Sequence, residues 1–129
     1  MNRYYYDSWA ILEFFGGNPR FEPYFAGVPG ATSAWNLAEV YFKLIQAGHP
    51  VEDARRKCLR FQSHLLTFGP RTVFRAMEFR RDHPDPERAG RYLFSYADAL
   101  GYALALERGL TFLTGDRDFQ GLPKVEYLR

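Results

Sequence analysis

The chain has a single cysteine, Cys58, so no internal disulfide is available to it, which suits a reducing cytoplasm. Its three histidines, His49, His64 and His83, lack metal-ligand spacing. No apolar run approaches the ~20 residues that a membrane-crossing helix needs. The N-terminal stretch has one early cation, Arg3, and is broken by Asp7 and Glu13, so it does not read as a signal peptide. No Gly-x-Ser-x-Gly, Walker loop or Gly-x-Gly-x-x-Gly occurs, and the chemistries built on those loops are set aside. Asp116-x-Asp118 begins like a calcium loop but carries Tyr127 at its twelfth position, so that motif fails as well.

What is present is a chain of 129 residues, 47% hydrophobic and 25% charged. That length suits one domain over residues 1–129, and the apolar content excludes disorder. The net charge of +2 hides an asymmetry, since residues 55–91 hold ten Lys or Arg against four Asp or Glu. The rest of the chain is net acidic. Fourteen of the seventeen basic residues are arginine, the better match for phosphate and for aromatic faces. One basic segment and a separate acidic set can serve a polyanion and a cation, respectively. A solvated arginine-rich surface is the plainer alternative.

The pattern along the chain alternates strand and helix. Residues 3–7 read as an aromatic strand, 8–15 as a short helix, and the Gly- and Pro-rich stretch 16–31 as a loop with a broken turn or short strand. Thr32 or Ser33 caps a helix running to about Gln46, and Pro50 opens another running to about His64. Leu65–Phe68 is a short strand candidate. Residues 71–82 read as a basic helix, 86–92 as a short helical turn, Ser95–Glu107 as a helix, and Leu110–Thr114 and Lys124–Leu128 as strands. Short apolar strands between helices predict an α/β fold, a three-layer α/β/α sandwich around a short central parallel sheet.

Ligands of such sheets sit beyond the carboxyl ends of the strands. Two predicted strands end there in an acid, Asp7 and Asp116; a helix cap and a turn residue are the alternatives. Asp98 is the only charge in Ser95–Leu106, a helix apolar on every side and therefore buried on most sides. A buried carboxylate needs a cation or donors. Ser95-x-x-Asp98 also has capping-box spacing. Glu39 falls opposite the stripe Leu37, Val40, Tyr41, Leu44 and Ile45, on the same side as Asn36 and Lys43, where a solvated face is the alternative. Trp35 and Phe42 flank it, which suggests a partly enclosed pocket. Trp9 and Trp35, close to these acids in sequence, are stacking candidates for bases, with core packing as the plainer use. Four acids brought together repel, and a divalent cation reverses that cost; oxygen ligands without Cys or His select Mg2+ or Mn2+.

Tyr6-Asp7-Ser8, Asn36-Leu37-Ala38-Glu39-Val40-Tyr41, Tyr96-Ala97-Asp98-Ala99 and Thr114-Gly115-Asp116-Arg117-Asp118-Phe119 together resemble the PIN domain, most closely its small VapC-type toxin branch. The order and gaps match over essentially the whole chain. The resemblance implies a Mg2+- or Mn2+-dependent RNA endonuclease, the toxin of a type II toxin–antitoxin module. Asp7 and Asp98 would be the main metal ligands, Glu39 and Asp116 would complete the site, Asp118 matches an auxiliary acid, and Thr114 would lend a hydroxyl behind them. Homodimers and neutralisation by an antitoxin whose tail enters the acidic groove are implied too. In that setting Arg55, Arg56, Arg60, Arg71, Arg75, Arg80 and Arg81 become candidates for contacts to the RNA backbone. Two other readings stand beside this one: a non-catalytic PIN module that binds RNA or protein, and a metal-dependent hydrolase of small phosphate esters.

Overall fold

Three short segments, Tyr4–Tyr6 (β1), Thr111–Thr114 (β2) and Val125–Tyr127 (β3), supply the strands. In the computed structural model, which describes residues 3–27 and 30–129, they pair in parallel in the order β1-β2-β3. Tyr5 stands opposite Phe112, and Leu113 opposite Glu126. Among the described residues, the sheet continues beyond β1 only as single parallel bridges, Ala31 to Tyr5 and Leu65 to Thr32.

Parallel strands cannot be joined by a tight turn. The crossover from β1 to β2 carries the helices Ser8–Phe15 (α1), Glu22–Phe25 (α2), Ala34–Gln46 (α3), Val51–Leu59 (α4), Pro70–Arg81 (α5) and Tyr96–Glu107 (α6). Side chains alternate across the strands, so Tyr6 and Leu113 leave one face of the sheet and Tyr5 and Phe112 the other. The first pair is buried with Ile11, Val40, Leu44 and Phe61. The second is buried with Phe94, Tyr102, Leu104 and Phe119. α5 packs outside α6 through Ala76, Ala99, Leu100 and Ala103. The result is the expected three-layer α/β/α sandwich.

Local chemistry sets the helix starts. Ser33 caps α3 through Asn36 N–H, and Pro70 opens α5. The capping box foreseen at Ser95 and Asp98 is present at the start of α6. That helix is buried at Ala97 and from Ala99 to Ala105, as its all-round apolarity requires. Gly101 makes its close approach possible: a Cβ there would lie 2.7 Å from Asn36 Oδ1 and 3.1 Å from the Tyr5 ring. Among the described residues no helix is long and apolar enough to cross a membrane.

Three expectations need correction, and a fourth is made specific. The helix opened by Pro50 ends at Leu59, because the chain tightens there, with Phe61 N–H bonding to Cys58 O, and a separate 3-10 turn covers Gln62–His64. Leu65–Phe68 is not a strand; Leu65 makes one bridge, and Leu66 N–H bonds to Thr32 O. Residues 86–92 form no helical turn but a bend closed by the Pro84–Tyr92 bridge, with Asp85 N–H bonding to Arg91 O. The stretch 16–31 contains the four-residue α2 and the Ala31 bridge, while its residues 28 and 29 lie outside the described ones.

Candidate active site

Asp7 follows β1, and Asp116 follows β2 after one glycine, so adjacent parallel strands deliver two acids to the same end of the sheet. Glu39 comes from the middle of α3 and Asp98 from the first turn of α6. All four line one cleft of about 290 Å³, together with Trp9, Lys43, Leu93 and Ser95. Four segments far apart in sequence thus contribute to the lining of one cleft.

Three of these acids also fill the local roles weighed as alternatives. Asp7 caps α1, its Oδ1 accepting from Ser8 N–H at 2.8 Å. Asp98 Oδ2 accepts from Ser95 N–H at 3.1 Å. Asp116 Oδ1 accepts from Asp118 N–H at 3.0 Å. A capping carboxylate uses one or two of its lone pairs and keeps the remainder for the cleft.

Thr114, fully buried, ties two of the acids together. Its Oγ1 donates to Asp7 Oδ2 at 2.6 Å and accepts from Asp116 N–H at 3.0 Å. Asp7 is itself buried, with 1% of its surface exposed. Burial, and after it the charges of Asp98 and Glu39, hold its carboxyl well above the usual carboxylate range against the opposing Thr114 hydrogen bond. Burial also raises Asp98, with the Ser95 N–H opposing and the charges of Glu39 and Asp116 assisting, to a value of about 6.

Oxygen donors alone, two of them held protonation-prone by burial and mutual repulsion, make a donor set suited to a hard divalent cation. The carboxylates of the lining that could hold one are Asp7, Glu39, Asp98 and Asp116. Among the described residues no three such side chains already stand at metal-ligand spacing. Asp7 Oδ2 faces Thr114 and Asp98 Oδ2 faces Ser95.

Other expected residues fall elsewhere. Asp118 is exposed and outside the cleft lining, its backbone serving Asp116. None of the seven arginines lines the cleft. Arg55 borders an apolar groove between α3 and α4. Arg56 pairs with Asp53 and Arg81 with Asp82. Arg60 lies over the Phe14 and Phe15 rings. Arg71 and Arg75 are exposed on α5. The Arg80 guanidinium lies 4.6 Å from each of the Tyr92 and Tyr96 ring centres and donates to Phe94 O. The cation that does line the cleft is Lys43.

Three side chains depart from the sequence reading. Asn36, placed with the solvated face of α3, is fully buried. Its Oδ1 accepts from Tyr5 OH at 2.5 Å and Ser33 Oγ at 3.2 Å, and its Nδ2 donates to Ser8 Oγ at 3.0 Å. This network braces α3 against β1 and the residue that follows Asp7. Trp9 and Trp35 are not core residues; they are 38% and 47% exposed. The signal available for Asn36 is its place three residues after the cap Ser33, in the first turn of α3.

The PIN domain family model matches residues 4–125 of the chain. Among solved structures, a toxin–antitoxin complex from Klebsiella pneumoniae is similar at 17% identity, with a TM-score of 0.72 over 95% of this chain and 94% of that one. Mycobacterium tuberculosis VapC20, described as a sarcin–ricin loop cleaving toxin, is 19% identical, with a TM-score of 0.70 over 93% of this chain and 95% of its own. VapBC2 from Rickettsia felis, solved with a DNA fragment from its promoter, is 19% identical, with a TM-score of 0.69 over 96% and 97% of the two chains. A search of curated protein sequences gives no significant match.

Proposed function

The chain belongs to the PIN domain family, and on that footing we propose that it is a Mg2+- or Mn2+-dependent endoribonuclease, the toxin of a type II toxin–antitoxin module. The observation that carries this reading is the convergence of Asp7, Glu39, Asp98 and Asp116 on one cleft. A bound divalent cation supplies charge neutralisation at a scissile phosphodiester and an acidified water.

The residues divide the remaining work. Asp7 and Asp98 hold the cation, and Thr114 keeps the Asp7 carboxylate oriented. Glu39 and Asp116 accept hydrogen bonds from the attacking water and so orient it. Lys43, the cation in the cleft lining, holds a phosphate oxygen of the RNA. The toxin reading is supported by the similarity to VapC20 and to two toxin–antitoxin assemblies. An antitoxin tail entering the acidic cleft and a homodimer complete the proposal; the exposed apolar side chains Trp35, Val73 and Phe74 offer a surface for the second copy. The buried thiol of Cys58 suits the cytoplasm.

The test is cleavage of a mixed RNA substrate with Mg2+, with EDTA, and by Asp98→Asn. Cleavage should require Mg2+ and should fall by about two orders of magnitude or more in the variant. Cleavage indifferent to chelator and substitution would overturn the mechanism, and turnover of a chromogenic phosphate ester without RNA cleavage would move the substrate to small esters.

A further inference from the structure

Beside the acidic cleft lies a second hollow of about 150 Å³, lined by Trp9, Leu12, Glu13 and Lys43. Two of these residues, Trp9 and Lys43, also line the acidic cleft, so the two spaces adjoin across them. The hollow is built from one face of α1: Trp9 and Glu13 are four residues apart, which makes them neighbours on a helix, and Leu12 lies beside them. Lys43 reaches in from α3.

The walls are held before any ligand arrives. A Cβ at Gly115 would stand 2.5 Å from Trp9 Nε1, so the indole lies directly against the backbone after β2. The Arg129 guanidinium lies 5.3 Å from the Trp9 ring centre and donates to Gly115 O at 3.3 Å. Glu13 Oε2 accepts from Asn18 Nδ2 at 3.0 Å, which orients its carboxylate from the loop after α1. Among the described residues, Glu13 Oε1 makes no hydrogen bond, and it remains an acceptor.

A partly exposed indole, a fixed carboxylate acceptor, a leucine and a lysine form the kind of surface that takes an unstacked base. Aromatic rings stack bases of any identity. A carboxylate accepts from amino groups and repels carbonyl oxygens. We propose that this hollow is a subsite for one nucleobase of the RNA strand, selective for bases bearing an exocyclic amine, with Lys43 gripping the phosphate between that base and the cleft. Uracil is disfavoured, because its one edge N–H is flanked on both sides by carbonyl oxygens that would face Glu13. This deepens the nuclease reading and rests on it.

The chain has two tryptophans, so Trp35→Phe leaves Trp9 as the sole indole emitter. Titrating that variant with AMP, CMP, GMP and UMP should quench Trp9, with UMP about tenfold weaker than the other three, as one charge-assisted hydrogen bond would give. Glu13→Gln, which keeps the shape and the contact to Asn18, should remove the preference while quenching persists. Lys43→Met should weaken all four nucleotides alike. Equal binding of UMP and GMP, a preference that survives Glu13→Gln, or no quenching at millimolar nucleotide would each overturn the subsite. Parallel Mg2+-dependent cleavage of RNA separates the two readings: cleavage without nucleotide quenching removes the subsite alone, whereas loss of both removes the nuclease as well.

Discussion

Thr114 Oγ1 donates to Asp7 Oδ2 over 2.6 Å, although the two residues are 107 positions apart. The same hydroxyl accepts Asp116 N–H. One side chain thus closes both strand ends of the cleft, and removing it leaves a buried acceptor and a backbone donor without partners.

Thr114→Val should therefore destabilise the fold by about 1–3 kcal/mol and weaken Mg2+ binding, because the Asp7 carboxylate loses the bond that orients it. Thr114→Ser should retain most of both. Urea denaturation and calorimetric Mg2+ titration of the two variants are the measurement; equal behaviour of Val and Ser would show that the hydroxyl does neither job.

On the proposed function Mg2+ should raise the Tm, since a ligand held by the native cluster and not by the unfolded chain stabilises the fold. At a hundredfold excess over Kd the gain is about 2.7 kcal/mol. Asp98→Asn should blunt that response, and without metal it should be no less stable than the parent, because it removes one of the mutually repelling charges while keeping an acceptor for the Ser95 cap. The same Mg2+ response in parent and variant would place Asp98 outside the cation site.

Without metal, stability should fall as pH rises through about 6. Asp98 sits at about 6 in the fold against an ordinary 3.8, and Asp7 is raised too. Between those values the native state binds more protons than the unfolded state, so the slope of unfolding free energy against pH is negative. The part due to Asp98 is present below pH 3.8 and lost above about 6, with a size of about 3 kcal/mol. Thermal melts from pH 4 to pH 8 in EDTA check the sign, and Asp98→Asn should flatten the curve.

Gly101→Ala tests the contact of α6 with α3. The added methyl would meet Asn36 Oδ1 at 2.7 Å, and the overpacking should cost about 1–3 kcal/mol. Elsewhere on an exposed helix the same change would stabilise. Chemical denaturation reads the difference, and an unchanged midpoint would mean that the Tyr5–Asn36–Ser8 network shifts freely.

How legible was this in the letters? α6 declared its burial because Ser95–Leu106 holds one charge in twelve positions, which leaves the helix interior no face for water. Asp98 followed from that, since a lone acid there needs donors or a cation. The strands β1 and β2 were visible as short apolar runs, and their acids as strand-end residues. Residues 65–68 have the same look but form one bridge, because pairing depends on the neighbour available and not on the run itself. Asn36 was misplaced because the periodicity of α3 marks one buried face. That helix packs on α1 and α4 and also on α6, so a second, polar face is buried through hydrogen bonds. The same holds for the cations. Charge density locates a basic segment in sequence, but the cation in the cleft is Lys43, one turn after Glu39, in a segment with no excess of positive charge.

The pairing of β1 with β2 carries a consequence for the order of folding. Asp7 and the hydroxyl that steadies it are 107 positions apart, and six helices intervene. Contacts of such long sequence separation cost loop-closure entropy before they reward it, so the cleft cannot assemble from any local piece and closes only once the whole crossover has been laid down.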